Sequence, residues 1–234
     1  MHSWKMASLG ALTALFLGFG TAHLQGGVLY SQPTNYFGGY YSQNDTSGTI
    51  DPGLDNYATV YDNFTLTFTA TVASVSWVGG YVTSDPPMTG VTISIWADNA
   101  GVPSYAGSPL YTTGDVSGEA NETFLELDLF DNPTYSYSEP INFVATSGAQ
   151  YWISIVPDVA GTPQWEWESG SGDGISYQDY EGSFSLGLPG SELSVDEAFT
   201  LYDVTIPEPV STALVGGGLA LLALASRRFK RPSA

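Results

Sequence analysis

The segment Phe64-Thr65-Leu66-Thr67-Phe68-Thr69 alternates large apolar side chains with threonines. Because successive side chains of a β-strand point to opposite faces, this alternation predicts a strand with one apolar and one polar face. Three further segments alternate in the same way, namely 91–95 (VTISI), 125–129 (LELDL) and 151–155 (YWISI). We therefore expect a domain built from strands that each bury one face.

The sequence around these segments extends the pattern. Further strand candidates are 28–31, 72–82, 109–113, 141–145, 164–168, 175–180 and 198–204. Turn-forming residues separate them, as in 85–87 (DPP), 98–101 (DNAG), 131–133 (DNP) and 170–174 (GSGDG). No amphipathic helix is evident in the domain that we define as 27–206. The pattern predicts an all-β fold, a two-sheet sandwich of jelly-roll type.

The charged residues are distributed very unevenly. The 234-residue chain has 24 Asp and Glu against five Lys and Arg, which gives a formal net charge of −19. The five cations all lie near the ends of the chain: Lys5, Arg227, Arg228, Lys230 and Arg231. Both histidines, His2 and His23, are N-terminal, and cysteine is absent. The predicted sandwich therefore contains no Lys, Arg, His or Cys.

This distribution excludes several function classes for the sandwich. It offers no base for a serine or cysteine nucleophile, no lysine for a Schiff base, and no imidazole or thiolate for zinc, copper or iron. A nucleic-acid binder needs cations that neutralise phosphates, so we expect no nucleic-acid partner. We expect a protein that is not an enzyme and has no organic cofactor.

The N-terminus is typical of a secretory signal peptide. One cation, Lys5, precedes the apolar run 7–20, and the small residues Gly20 and Ala22 occupy the −3 and −1 positions of a cleavage site. The run is shorter than the ~20 residues that a spanning helix needs. We therefore predict a signal helix in residues 1–22, removed by signal peptidase during export.

The C-terminus combines three features in a fixed order. Pro207, Glu208 and Pro209 precede a short apolar segment, 210–226, and the basic cluster at 227–231 follows it. The segment predicts a transmembrane helix, and the positive-inside rule places its basic end in the cytoplasm. Residues 207–234 resemble the PEP-CTERM sorting signal. The resemblance implies processing by an exosortase near Pro207-Glu208-Pro209, after membrane retention, and then display at the surface or in an exopolysaccharide matrix.

The sandwich itself resembles a type of domain often found ahead of this sorting signal. The shared landmarks lie within residues 57–203 and are 61–64 (YDNF), 77–81 (WVGGY), 93–103 (ISIWADNAGVP), 151–155 (YWISI) and the tryptophans 165 and 167. Such domains are surface-protein modules without an assigned activity. The resemblance implies a fold rather than a function.

Two pairs of acids could support carboxylate chemistry. Glu166 and Glu168 flank Trp167, and Glu126 and Asp128 flank Leu127. Residues i and i+2 of a strand share a face at ~6–7 Å, near the range used by the acid and base of glycoside hydrolases. A solvated outer face explains the same spacing, and we favour it because no cation neighbours either pair.

The tryptophans and the remaining acids suggest two kinds of binding site. Trp165 and Trp167 share a strand face and could form a platform for sugar rings, although large aromatic side chains also fill sandwich cores. Acids cluster around Asp45, Asp51 and Asp55, near Asp62, and again at Asp173, Asp179 and Glu181. Oxygen ligands of this kind suit Ca²⁺, although aspartates also stabilise turns.

These observations predict an exported, non-enzymatic protein with a structural or interaction role in an extracellular polysaccharide matrix or biofilm. Its expected partners are signal peptidase, exosortase and extracellular polysaccharide. The first alternative is a carbohydrate-binding module with the tryptophan platform, and a more remote one is a carboxylate glycoside hydrolase.

Overall fold

The computed structural model describes residues 26–47, 57–82, 88–105, 107–117, 122–161, 164–180 and 190–204. All regular secondary structure in these ranges is β-strand. The strands are β1 Val28–Gln32, β2 Thr34–Tyr41, β3 Gln43–Asp45, β4 Tyr57–Thr65, β5 Ala70–Tyr81, β6 Gly90–Ala97, β7 Tyr111–Ser117, β8 Thr123–Leu127, β9 Pro133–Ala145, β10 Gln150–Val159, β11 Trp165–Gly170, β12 Ser176–Tyr180, β13 Ser191–Leu193, β14 Asp196–Glu197 and β15 Phe199–Tyr202.

The strands form two sheets in a sandwich-like arrangement, which confirms the predicted all-β class. No helix within the described ranges is long and apolar enough to cross a membrane. The predicted signal helix and the segment 210–226 both lie outside the described residues.

The first sheet is organised around β5, which pairs with strands on both of its sides. On one side β5 pairs with β9, which pairs with the edge strand β8. On its other side β5 pairs end to end with two strands, β15 along residues 74–77 and β11 along residues 79–81. β1 continues the sheet beyond β15, whereas β2 and β14 both pair with β11.

The second sheet runs in the order β13-β12-β4-β3-β10-β6-β7. Its centre is the antiparallel set β4, β10 and β6, and a short parallel contact joins β3 to the end of β10. The pairing of β12 with β4 brings the segment after β11 from the first sheet into the second. The chain thus crosses between the sheets near residues 171–175.

The core lies between the sheets and is rich in aromatic side chains. Phe64 of β4 and Phe199 of β15 meet across the two sheets with ring centroids 6.5 Å apart. Trp167 and Ile153, also fully buried, belong to opposite sheets of the same cluster. Each fully buried large apolar side chain contributes about 1.5–3 kcal/mol, so this layer supplies much of the stability.

One strand buries both of its faces. In β10, Ile153 and Ile155 face the core, yet Trp152 on the opposite face is also 0% exposed. Its indole N–H donates to Asp98 Oδ1 at 2.9 Å, and its ring packs edge-on against Tyr177. The outer face of the second sheet is therefore covered at this point.

Two of the strongest alternating segments differ from the prediction. β4 ends at Thr65, and residues 66–69 form the turn to β5, which leaves Phe68 55% exposed. The segment 125–129 is split between β8 and the following turn, and Leu125, Leu127 and Leu129 are all exposed. Alternation cannot distinguish a core face from the exposed face of an edge strand, which explains the second difference.

Candidate functional site

β11 carries the glutamates of one predicted acid pair. Trp165 and Trp167 belong to the core, so Glu166 and Glu168 lie on the opposite face of the strand. An opposite face of this kind is commonly solvated, yet Glu168 is only 2% exposed. Other parts of the chain must therefore cover it.

A bulge in β2 provides part of this cover. β2 pairs with β11 from Glu166 to Glu168, but Gly39 pairs with Glu168 and Thr34 pairs with Gly170. Residues 35–38 therefore bulge outward opposite a single residue of β11. From this bulge the backbone N–H of Gly38 donates to Glu168 Oε1 at 2.9 Å.

The turn between β8 and β9 provides the rest of the cover over Glu168. Asp128 stabilises this turn, because its Oδ1 accepts the backbone N–H groups of Phe130 and Asn132, both at 2.8 Å. The backbone N–H of Leu129 then donates to the Tyr36 carbonyl at 2.9 Å. This contact joins the turn to the β2 bulge and brings Asp128 and Glu168 into electrostatic contact.

A groove of about 570 Å³ lies where the bulge and the turn meet. Phe37 and Phe130 line it and are 64% and 67% exposed. Glu166, Asn132 and Ser169 contribute polar groups to its wall. We call this feature the β2–β11 groove. It combines two exposed aromatic rings with hydrogen-bonding groups, a composition typical of small-ligand and sugar sites.

Glu166, which lines the groove, and its buried neighbour Glu168 both hold their protons more strongly than ordinary carboxyls. Burial raises the pKa of Glu166 to about 7, and the charges of Glu168 and Asp128 add to this effect. Burial likewise raises the pKa of Glu168 to about 7, despite the hydrogen bond from Gly38 that favours its charged form. Near neutral pH both side chains can therefore donate as well as accept hydrogen bonds.

The predicted tryptophan platform is wrong. Trp165 and Trp167 are both 0% exposed. The Trp165 indole N–H donates to the Tyr137 hydroxyl at 3.3 Å, and that of Trp167 donates to the Ala198 carbonyl at 3.0 Å. Neither ring offers a face to a ligand, because both fill the space between the sheets.

The predicted calcium ligands do not converge in the described part of the chain. Asp45 Oδ1 accepts the N–H groups of Ser47 and Gly161, and Asp173 accepts the side-chain amide of Asn63. Asp179 lies on β12. Among the described residues no group of three or more acids or histidines is arranged to hold a metal. Asp51, Asp55 and Glu181 lie outside those residues.

The other predicted residues have separate outcomes. Glu126 is exposed on β8, whereas Asp128 is buried in the turn that follows the strand. The two acids of the second pair therefore do not share one strand face. The sorting residues Pro207, Glu208 and Pro209 lie outside the described residues, as does the basic cluster 227–231.

The aromatic residues of the groove were not identified from the sequence. Phe37 lies on β2, a strand that the alternation did not predict, and Phe130 follows a segment interpreted as a core strand. The available signal was the run 36–41 (YFGGYY), in which aromatic residues flank a glycine pair. Glycines within a strand often mark a bulge or the close approach of another backbone.

Comparisons with known proteins add no assignment. No protein-family model matches the chain, and no curated protein matches it.

Proposed function

We propose that this chain is an exported, non-enzymatic component of an extracellular polysaccharide matrix, sorted by an exosortase through residues 207–234. The support is the order of Pro207-Glu208-Pro209, apolar segment and basic cluster, together with an N-terminal signal-like segment. The jelly-roll topology and the two terminal helices belong to the same proposal. A domain without Lys or Arg between two such tails is consistent with an external location.

We further propose that the β2–β11 groove binds carbohydrate. The observation that carries this proposal is the placement of exposed Phe37 and Phe130 beside Glu166 in one groove. Aromatic rings pack against the apolar faces of sugar rings, while carboxyl and amide groups bond to their hydroxyls. Because an acid, Glu166, lines the groove and no cation is among its lining residues, it favours neutral sugars over uronic acids.

Binding of the full chain to insoluble polysaccharide tests this proposal. Phe37→Ala and Phe130→Ala should each weaken retention on a neutral glucan roughly tenfold, the effect of losing about 1.4 kcal/mol. Phe68→Ala is the matched control, since Phe68 is 55% exposed at a turn remote from the groove. Retention by Phe37→Ala and Phe130→Ala equal to that of the wild-type chain would rule out the groove as the site. Stronger binding of the wild-type chain to a polyuronate would contradict the preference for neutral sugars.

One observation favours glycoside hydrolysis as a second candidate. Glu166 and Glu168 are neighbours on one strand face, and burial gives both a pKa of about 7, a value suited to a general acid. Release of reducing sugar by the wild-type chain, abolished in Glu166→Gln, would support an enzyme. Polysaccharide binding without such release would support the binding function.

The sorting proposal has its own test. Replacing Arg227, Arg228, Lys230 and Arg231 with glutamine removes the charges that orient the C-terminal segment. The variant should accumulate as an unprocessed or fully secreted chain, which intact-mass measurement of each cell fraction would detect. Normal C-terminal trimming and normal location would contradict the proposal.

A further inference from the structure

Two acids are buried between the sheets, in a place where the strand pattern calls for apolar side chains. Asp62 lies on β4 between the core residues Val60 and Phe64, and all three are 0% exposed. Alternation therefore directs Asp62 into the sandwich. Glu197 of β14 is also 0% exposed. The sequence supplies no Lys or Arg between residues 6 and 226 that could neutralise them.

The two acids are adjacent, and each has an oxygen without a partner. The backbone N–H of Glu197 donates to Asp62 Oδ2 in a short hydrogen bond. The remaining oxygen of that carboxylate, Oδ1, has no hydrogen-bond partner, and neither has Glu197 Oε2. A buried carboxylate oxygen that lacks any partner is strongly unfavourable, so both atoms indicate a missing contact.

A neutral side chain converges on the same point. Gln32 of β1 is 1% exposed, and one terminal atom of its amide lies 2.9 Å from the Glu197 carbonyl oxygen and 3.0 Å from Asp62 Oδ2. The opposite atom lies 2.9 Å from the Tyr30 hydroxyl. If the atom between the two acids is the amide nitrogen, it donates to both. If it is the amide oxygen, it lies about 3 Å from two further oxygens, those of the Glu197 carbonyl and of Asp62 Oδ2.

The second arrangement matches the surroundings of a hard cation. Oxygen ligands at 2.3–2.6 Å from a calcium ion lie roughly 3 Å from one another, and calcium accepts carboxylate, carbonyl and amide oxygens together. In that arrangement the oxygens of Asp62 and Glu197 that lack hydrogen-bond partners remain available as further ligands. The first arrangement leaves those two oxygens unsatisfied.

We propose that Asp62, Glu197 and the amide oxygen of Gln32 bind one calcium ion between the sheets. Two carboxylates balance the charge of the ion, and the ligand set consists entirely of oxygens, which favours Ca²⁺ over softer metals. Asp62 was named with the first acidic cluster in the sequence, whereas Glu197 and Gln32 were not predicted as ligands. Neighbouring Asp196 is not a ligand, because its oxygens accept the N–H groups of Gly172 and Gly174 at 2.6 and 2.8 Å.

Calcium binding to the full chain, purified in detergent, tests the site. At pH 7.5 and constant ionic strength, CaCl₂ in hundredfold excess over its dissociation constant should raise the melting temperature by roughly 5–10 °C, and EGTA should reverse the rise. Calorimetric titration with CaCl₂ should give one ion per chain. No binding and no shift in the wild-type chain would overturn the proposal.

Three variants test whether the calcium-dependent rise in melting temperature comes from the proposed site. Asp62→Asn and Glu197→Gln keep the side-chain shape but remove a ligand charge, so each should lose the calcium-dependent shift. Glu192→Gln alters an exposed acid on β13, outside the site, and should retain it. A shift that persists in both site variants would place the ion elsewhere and overturn the proposal. If one site variant fails to fold, the second variant and the wild-type stoichiometry still decide.

Discussion

Glu168 shows how one residue acquires unusual chemistry from ordinary strand geometry. Its place next to Trp167 puts it on the outer face of the first sheet, where acids are commonly solvated. The β2 bulge and the turn at Asp128 then exclude water, and burial raises the pKa of Glu168 to about 7. The local sequence sets the direction of the side chain, whereas distant segments set its charge state.

This charge state predicts a pH dependence of stability. The folded pKa of Glu168 lies above the value near 4.3 of an exposed glutamate, so the folded state binds a proton more tightly than the unfolded state. The stabilising contribution of Glu168 to the free energy of unfolding is fully present below about pH 4.3 and is lost as pH rises through about 7. Glu168→Gln should therefore flatten the decline of stability between about pH 5 and pH 7.

Urea unfolding midpoints at several pH values would measure this effect. Glu192→Gln, a change at an exposed acid on β13, provides the control and should leave the slope unchanged. The interpretation fails if the wild-type chain and Glu168→Gln lose stability in parallel over this range.

At the scale of elements, the β2 bulge creates the groove. Gly38 has a φ of 91°, and a Cβ atom there would come within 2.8 Å of the Phe130 ring. Alanine is therefore disfavoured by the backbone conformation, and it would also displace the Phe130 ring. The bulge and the β8–β9 turn form one unit, since neither can move without disturbing their contact.

Comparing Gly38→Ala with Gly114→Ala should separate the cost of alanine at a positive φ from the effect of displacing Phe130. We expect about 1–2 kcal/mol of destabilisation from the positive φ, and in addition a displaced Phe130 with weaker polysaccharide retention. Gly114→Ala is the matched control, because Gly114 also has a positive φ, of 67°, but an alanine Cβ at that residue would meet no atom within 4 Å. Comparable loss of retention in the two variants would contradict a specific role for the Gly38–Phe130 contact.

Strands were predicted correctly where the apolar face of an alternating segment packs into the core. The segments 91–95 and 151–155 form the centre of the second sheet, as expected. The prediction placed a strand at 64–69, directly before the strand at 72–82, and left little room for the turn that residues 66–69 make. β2 was not predicted, because its glycines and aromatic residues follow neither period.

The candidate site was predictable only in part. The spacing of Glu166 and Glu168 placed both on one face, which the structure confirms through the burial of Trp165 and Trp167 on the opposite face. The approach of Phe130 to that face depends on a contact between segments that are far apart in the chain, at Leu129 and Tyr36. No local pattern contains such a contact.

At the scale of the whole molecule, the residues 27–206 carry acidic side chains but no Lys or Arg. Because every Lys and Arg lies before residue 6 or after residue 226, no ion pair with these residues can form inside residues 27–206. Mutual repulsion between surface carboxylates must therefore be relieved by solvent, by hydrogen bonds or by bound cations.

Salt should consequently stabilise the protein. The Debye length falls from ~30 Å at 0.01 M to ~10 Å at 0.1 M, which screens the repulsion between acids on different strands. We expect the melting temperature to rise gradually over this range of NaCl. Choline chloride at equal ionic strength should act similarly, because screening does not depend on the cation, and a melting temperature that is flat in both salts would contradict this view.

The position of β15 has a mechanical consequence. Residues 199–202 are hydrogen-bonded to β1 on one side and to β5 on the other, and Tyr202 pairs with Ser74. The groove lies in the opposite direction along β5, beside residues 79–81. If a polymer is bound in the groove while the chain is held through its C-terminal end, tension runs parallel to β15. Two hydrogen-bonded ladders then resist the pull together in shear, instead of opening one bond at a time.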